Sequence, residues 1–179
     1  LTAALREVVD AVTGFGECEV ADDWADWREA VQRSAPGLLI AMPHQEGDSL
    51  TEPSLELGGI AETTLLERDI RPPGTAPGPV VLLLGCDTSN APNRLASFAS
   101  DMRHYAPVVV ATIGRVVAAE APHVAAKIVE RLVAERTERA DIATALIEAR
   151  RALLAEGRLV GLQLIAHGDA RWSVPTPHR

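Results

Sequence analysis

Short apolar runs alternate along this chain with stretches in which apolar residues recur every three or four positions. The runs at residues 37–42 and 79–86 are bounded by Gly, Pro or small polar residues and predict buried strands. Residues 107–113 and 159–166 predict two more. Because strands alternate with helical patterns, the expected fold is α/β, with a mostly parallel sheet sandwiched between helices.

Helical spacing predicts five helices. Their inner faces are Leu5, Val8, Val9 and Val12; Trp24, Trp27 and Val31; Leu95, Phe98, Ala99 and Met102; Ala121, Val124, Ala125, Ile128, Val129 and Leu132; and Ile142, Ala145, Leu146, Ala149 and Leu153. Asp22 or Asp23 can cap the second of these helices.

The segments between these elements give weaker predictions. Residues 17–21 are a short strand candidate, and residues 45–53 are polar enough for a surface loop. Residues 54–58 alternate apolar and polar side chains, as one arm of a hairpin would. Residues 61–70 are weakly helical, and residues 71–79 hold four prolines and two glycines, which predicts a loop.

Length and composition indicate one domain over residues 1–179, with a core of Ala, Val, Leu and Ile. The chain begins at Leu1 rather than Met, which suggests a piece of a longer chain. The net charge of -8 argues against a nucleic acid or an anionic membrane as partner. Two cysteines far apart in the sequence do not make a disulfide framework. A reducing compartment, the cytoplasm, is therefore the expected location.

Two side chains with catalytic potential follow the first two predicted strands. The apolar run 37–42 leads to Pro43-His44, and Cys86 ends the next run. Because parallel strands bring their carboxyl ends to one edge of a sheet, these residues are candidates for a base and a nucleophile. A helix N-terminus or a nearby imidazolium would favour the thiolate of Cys86, whereas Asp87 opposes it. The alternative interpretation is that Cys86 is a small buried residue of the core without a chemical role.

His167 is the competing histidine, in Ala166-His-Gly-Asp169, where Asp169 could orient the ring. Its place after the last predicted strand suggests a sheet edge, so it is the weaker candidate. His104, His123 and His178 are expected to be solvated. No Cys or His pair has metal-ligand spacing, and neither a Gly-rich phosphate loop nor a Gly-x-Ser-x-Gly elbow is present.

The order of these parts resembles the CHAT family, caspase-like peptidase domains that accompany TPR repeats in many bacterial proteins. The most specific element is Leu84-Gly-Cys-Asp-Thr88, which is similar to the family's Ala-Cys-x-Thr strand end. A histidine strand and a hairpin displaying Leu55-Glu-Leu57 precede it, and a strand beginning Pro107-Val-Val and two helices follow. The resemblance covers about residues 20–169.

This resemblance implies a cysteine endopeptidase with Cys86 as nucleophile and His44 as base, no cofactor and no metal, and a protein substrate. Backbone groups of Gln45, Gly47 and Gly85 would surround the oxyanion, and TPR or other regulatory domains would be partners. The family has Gly directly after its catalytic His, whereas Gln45 and Glu46 precede Gly47 here.

A non-cleaving scaffold or signalling module that docks partners on the same fold is therefore the alternative function. A second alternative is an α/β-hydrolase-like or flavodoxin-like binding domain, which would need the serine elbow or the phosphate loop that the chain lacks.

Overall fold

A computed structural model describes residues 3–13, 16–46, 54–85, 98–114, 116–117, 119–134, 141–169 and 171–172. The helices in these ranges are α1 (Ala3–Thr13), α2 (Trp24–Ser34), α3 (Glu67–Ile70), α4 (Phe98–Met102), α5 (Glu120–Ala134) and α6 (Ile142–Ala155). The strands are β1 (Leu38–Ala41), β2 (His44–Glu46), β3 (Ser54–Leu57), β4 (Ile60–Glu62), β5 (Val80–Leu83), β6 (Val108–Thr112) and β7 (Leu164–Gly168). A 3₁₀ helix, Leu159–Gln163, precedes β7.

The main sheet has the order β1-β5-β6-β7 among the described residues. β1, β5 and β6 run parallel, and β7 is antiparallel to β6. Every residue of β5 and β6 is buried, as expected for central strands covered on both faces. The predicted α/β class with a mostly parallel sheet is therefore confirmed.

Two apolar clusters cover the two faces of this sheet. Even-numbered residues of β5, such as Leu82, pack in one cluster with α1, α5 and α6. Odd-numbered residues, such as Leu83, pack in the other cluster with Trp24 and Trp27 of α2 and with α3 and α4. The alternation follows from the two-residue period of a strand, and it makes the sheet the shared wall of both cores.

The cap of α2 resolves one alternative that the sequence left open. The side chain of Asp23, not Asp22, accepts hydrogen bonds from the backbone N–H groups of Ala25 and Asp26, at 2.7 and 2.9 Å. The helix ends at Ser34, and Ala35 adopts a left-handed conformation before Pro36. The chain therefore changes direction after α2 and continues into β1.

A second, antiparallel sheet joins β2, β3 and β4. Gly58 and Gly59 connect β3 to β4 with φ angles of 62° and 78°. Two consecutive positive φ angles are characteristic of a type I′ hairpin turn, which glycine adopts without strain. The hairpin predicted from residues 54–58 is confirmed.

Several predicted boundaries are wrong, and in each case pairing across the sheets is the reason. Residues 61–70 are helical only over α3, because β4 pairs with β3 and takes the beginning of that stretch. Gln45 and Glu46 are not in a loop but in β2, opposite Leu55 and Ser54 of β3. The last strand begins at Leu164 rather than Leu159, after the 3₁₀ helix.

Residues 17–21 do not form the predicted strand. A strand exists through hydrogen bonds to a neighbour, and among the described residues none joins this segment to β1. The alternating sequence alone therefore does not produce a strand.

Across the ranges given above, no helix has both the length and the apolar character that crossing a bilayer requires.

Candidate active site

The candidate site is built where β1 and β5 end side by side. Their parallel register pairs Ala41 with Leu83, and the N–H of Leu84 donates to the carbonyl of Ala41 at 2.8 Å. His44 stands three positions after Ala41, and Cys86 stands three positions after Leu83. Both candidates therefore follow neighbouring strand ends by the same number of residues.

Gly85, directly before Cys86, is held from the β6 side. The hydroxyl of Thr112 donates a hydrogen bond to the Gly85 carbonyl. Thr112 is 1% exposed and closes a strand that is otherwise Val and Ala. Since Leu84 is bonded to β1 and Gly85 to β6, the backbone leading to Cys86 is held from both neighbouring strands.

His44 begins β2, so it belongs to the antiparallel sheet rather than to the end of β1. Its Cα lies opposite Glu56 of β3. β3 is in turn anchored by Leu55, which is fully buried and whose carbonyl accepts from Trp24 Nε1 at 3.2 Å. The backbone of His44 is thus positioned by β1 on one side and by the hairpin on the other.

An ion-pair network fastens the hairpin to α2. Arg28 Nε donates to Asp69 Oδ1 at 2.5 Å, and Arg28 Nη2 donates to Glu62 Oε1 at 2.6 Å. Asp69 is fully buried, and its other carboxylate oxygen accepts from the N–H of Leu66. Because buried charges require such partners, this network fixes where β4, and with it the hairpin, sits on the helix.

The structure describes some of the other predicted site residues and not others. Gly85 is buried two residues after the end of β5, and the backbone of Gln45 pairs opposite Leu55. Cys86 and Gly47 lie outside the described residues, as do the side chains of residues 44–46. The structure brings together the strands that lead to the predicted dyad.

His167 lies at the other end of the main sheet. It is within β7, opposite Val109, and Val109 in turn pairs with Val81 at the beginning of β5. Gly85 stands four positions after Val81, about 13 Å along a strand. Burial lowers the pKa of His167, and the charge of Arg103 lowers it further. The predicted sheet-edge location holds among the described strands, although the histidine is inside the strand rather than after it.

His123 is not the solvated residue that the sequence predicts. Its ring nitrogens lie 2.9 Å from Glu7 Oε1 and 2.8 Å from Glu156 Oε2, and its side chain is only 18% exposed. The hydrogen bond from His123 is the main reason that the pKa of Glu156 is lowered. The residue joins α1 to the end of α6, which no local sequence pattern indicates. His104 is exposed, and His178 lies outside the described residues.

Thr112 is the site residue that the sequence analysis missed. The sequence did contain a signal, because Thr112 is the one polar residue of the run Val108-Val-Val-Ala-Thr112. A buried hydroxyl needs a hydrogen-bond partner, so this residue could have been singled out. Among the described residues no group of three or more His, Cys, Asp or Glu side chains could hold a metal ion.

No family model matches this chain, and no curated protein is similar enough in sequence to match it.

Proposed function

We propose that this chain is a caspase-like cysteine endopeptidase of the CHAT type, acting on a protein substrate through Cys86 and His44. The observation that supports it best is the register of β1 and β5, which pairs Ala41 with Leu83 three residues before each member of the dyad. The neighbouring carboxyl ends of two parallel strands are where α/β proteins collect reacting groups.

In the proposed reaction, His44 accepts the thiol proton of Cys86, and the sulfur attacks the scissile carbonyl carbon. Backbone N–H groups of Gln45, Gly47 and Gly85 stabilise the oxyanion. His44 then gives its proton to the leaving amine, and the peptide C–N bond breaks to leave a thioester. Water hydrolyses the thioester, with His44 again as base. The reaction needs no cofactor.

A second function has one specific observation in its favour. Gln45 and Glu46 are in β2 and pair with β3, so the first glycine after His44 comes only beyond that strand. This differs from the glycine directly after histidine that a peptidase of this type uses. A non-cleaving scaffold or signalling module would keep the fold without that oxyanion donor. In either case, the proposed setting is a bacterial cytoplasm with TPR or other regulatory domains as partners.

The test is a peptide-library digest with the wild type, Cys86→Ala, His44→Ala and His167→Ala. We expect cleavage by the wild type and His167→Ala, and none by Cys86→Ala. His44→Ala should be inactive at neutral pH and partly recover at higher pH, where the thiolate forms without a base. Cys86→Ala removes one sulfur, so it should change stability by about 1 kcal/mol or less.

Alkylation with iodoacetamide provides an independent measurement. Cys18 is exposed, but partial desolvation by the surrounding protein raises the pKa of its thiol. Little of it is therefore thiolate at neutral pH, and it serves as a slow internal reference. An activated Cys86 should react much faster at pH 7, and His44→Ala should slow Cys86 without affecting Cys18. Equal rates for the two cysteines, together with no cleavage when the native partner domains are present, would favour the scaffold.

A further inference from the structure

A cavity of about 730 Å³ lies beside β1, at the edge of the main sheet. Its apolar walls come from α1 and α2, and residues 17–22 line it as well. We call this space the edge slot. Its lining includes Ala41 and Met42, so one end of the slot reaches the strand end that leads to His44. The inference below does not depend on the proposed peptidase activity.

The two helices stand on opposite faces of the sheet. Val8 and Val12 of α1 belong to the same cluster as Leu82, whereas Trp27 and Val31 of α2 belong to the cluster of Leu83. The connection between the helices must therefore pass around the sheet edge. Residues 17–21 are in this connection and line the slot. The slot thus has a strand edge at its base and an apolar helix on each side.

The hydrogen bonds of β1 show which backbone groups face the slot. The carbonyls of Gly37 and Ala41 accept from Val80 and Leu84 of the β5 segment. Because alternate residues of a strand direct their N–H and C=O groups to opposite edges, those of Leu38 and Ile40 point away from β5. Among the described residues no backbone hydrogen bond links them to residues 17–21. An edge of this kind is a template for one more strand.

The size of the slot fits such a strand. Five extended residues are about 17 Å long, about 4.8 Å wide within a sheet and about 10 Å thick between packed layers, or about 800 Å³. The observed 730 Å³ is close to that volume. Since both helical walls are apolar, the side chains on both faces of the strand must be apolar too.

The charges at the slot indicate which residues should flank the apolar part of a bound strand. The acidic residues Glu17, Glu19 and Asp22 are among those that line the slot, and all three are exposed. Glu19 is paired with Arg33, and the chain as a whole carries a charge of -8. We propose that the edge slot binds an extended peptide segment, apolar on both faces and flanked by basic residues, which adds to β1 as a further strand.

The test uses the peptide acetyl-Lys-Val-Ile-Val-Ile-Val-Lys-amide and amide hydrogen exchange measured by NMR. Binding should slow exchange at Leu38 and Ile40, whose amides face the slot. The amides of Leu39 and Ala41 face β5 and are the internal control, since their protection should already be present in the free protein.

Two backbone-methylated versions of the peptide separate strand addition from simple apolar contact. One carries N-methyl groups at the odd residues and the other at the even residues, so the side chains are unchanged and only N–H donors are lost. The version whose methyl groups face β1 should bind at least about tenfold more weakly, because several hydrogen bonds are missing.

Matched charge variants test the acidic lining. Glu17→Gln with Asp22→Asn should weaken binding several-fold and reduce its dependence on salt. Asp10→Asn with Asp26→Asn removes the same charge from exposed positions that do not line the slot, and it should bind as the wild type does.

Three results would overturn the proposal. Equal binding of the parent and both methylated peptides would mean an apolar cavity without strand addition. Slow exchange of the slot-facing amides without peptide, in a protein that is a dimer, would mean that a second copy of the chain pairs with β1. The same slow exchange in a monomer would mean that another part of the same chain pairs with β1. No detectable binding at millimolar peptide would show that the slot is not a peptide-binding site.

Discussion

At the residue scale, Gly85 is the position that most constrains the proposed nucleophile, because it directly precedes Cys86. Its carbonyl accepts from Thr112, and its neighbour Leu84 donates to Ala41. The two contacts come from strands on opposite sides of β5. Thr112 is therefore a positioning residue, which acts on Cys86 through the backbone rather than by touching substrate.

Thr112→Val tests that role, because it keeps the shape of the side chain and removes the hydroxyl. We expect a loss of about 1–3 kcal/mol in the free energy of unfolding, since the buried Gly85 carbonyl loses this donor. On the proposed function, kcat should fall about tenfold to a hundredfold, because a displaced nucleophile attacks poorly.

Thr112→Ser is the matched control and should restore both quantities, because serine keeps the hydroxyl. Stability comes from urea unfolding and kcat from cleavage of the best library peptide. A Thr112→Val protein with wild-type stability and wild-type kcat would show that the contact positions nothing.

At the element scale, helix boundaries depend on caps that one residue supplies. Asp141 precedes α6, and its side chain accepts from the N–H of Thr144 at 2.7 Å. This hydrogen bond is the main reason that the pKa of Asp141 is lowered. The ionised carboxylate also interacts favourably with the positive end of the helix dipole.

The pH dependence of this cap follows from the direction of the shift. A carboxyl group whose folded pKa lies below its unfolded value of about 3.9 stabilises the fold above that pH. The contribution disappears as the pH falls through the lower, folded value. Asp141→Ala should therefore destabilise the protein by about 1 kcal/mol at pH 7, and by less in acid.

Asp141→Asn provides the comparison, because asparagine caps a helix without a titrating charge. Urea unfolding from pH 7 down to pH 3 should show a smaller decrease for this variant than for the wild type. Parallel pH curves for the two proteins would contradict the assigned role of the charge.

At the scale of the whole molecule, two apolar clusters share the four-stranded sheet of the described residues. Leu82 points into one cluster and Leu83 into the other, although they are adjacent in β5. A cavity on either face therefore weakens the same strand, and we expect the two cores to unfold together.

Leu82→Ala and Leu83→Ala test this coupling. Each removes a fully buried side chain and should cost about 2–5 kcal/mol. In a Trp172→Phe background, the remaining indoles are Trp24 and Trp27, both in the cluster of Leu83. Fluorescence then reports on that face alone, while circular dichroism reports on all helices.

The two signals should give one coincident transition in both variants. If Leu82→Ala separated the fluorescence transition from the transition seen by circular dichroism, the two cores would be independent units.

The amino-acid pattern alone determined the elements that bury apolar surface along their whole length. Completely buried β5 and β6 appear as continuous apolar runs, and α2, α5 and α6 show helical spacing. The alternation of apolar and polar residues over 54–58 also predicted the hairpin. In each case the signal lies within a few neighbouring residues.

Tertiary structure decided the features that depend on a partner distant in sequence. Residues 17–21 alternate like a strand yet remain unpaired with β1, whereas Gln45 and Glu46 look like a loop yet pair with β3. The contacts of Thr112 with Gly85 and of His123 with Glu7 and Glu156 join residues 27 to 116 positions apart. Hydrogen bonds and ion pairs of this range form only when the sheet brings their elements together, so no local pattern encodes them.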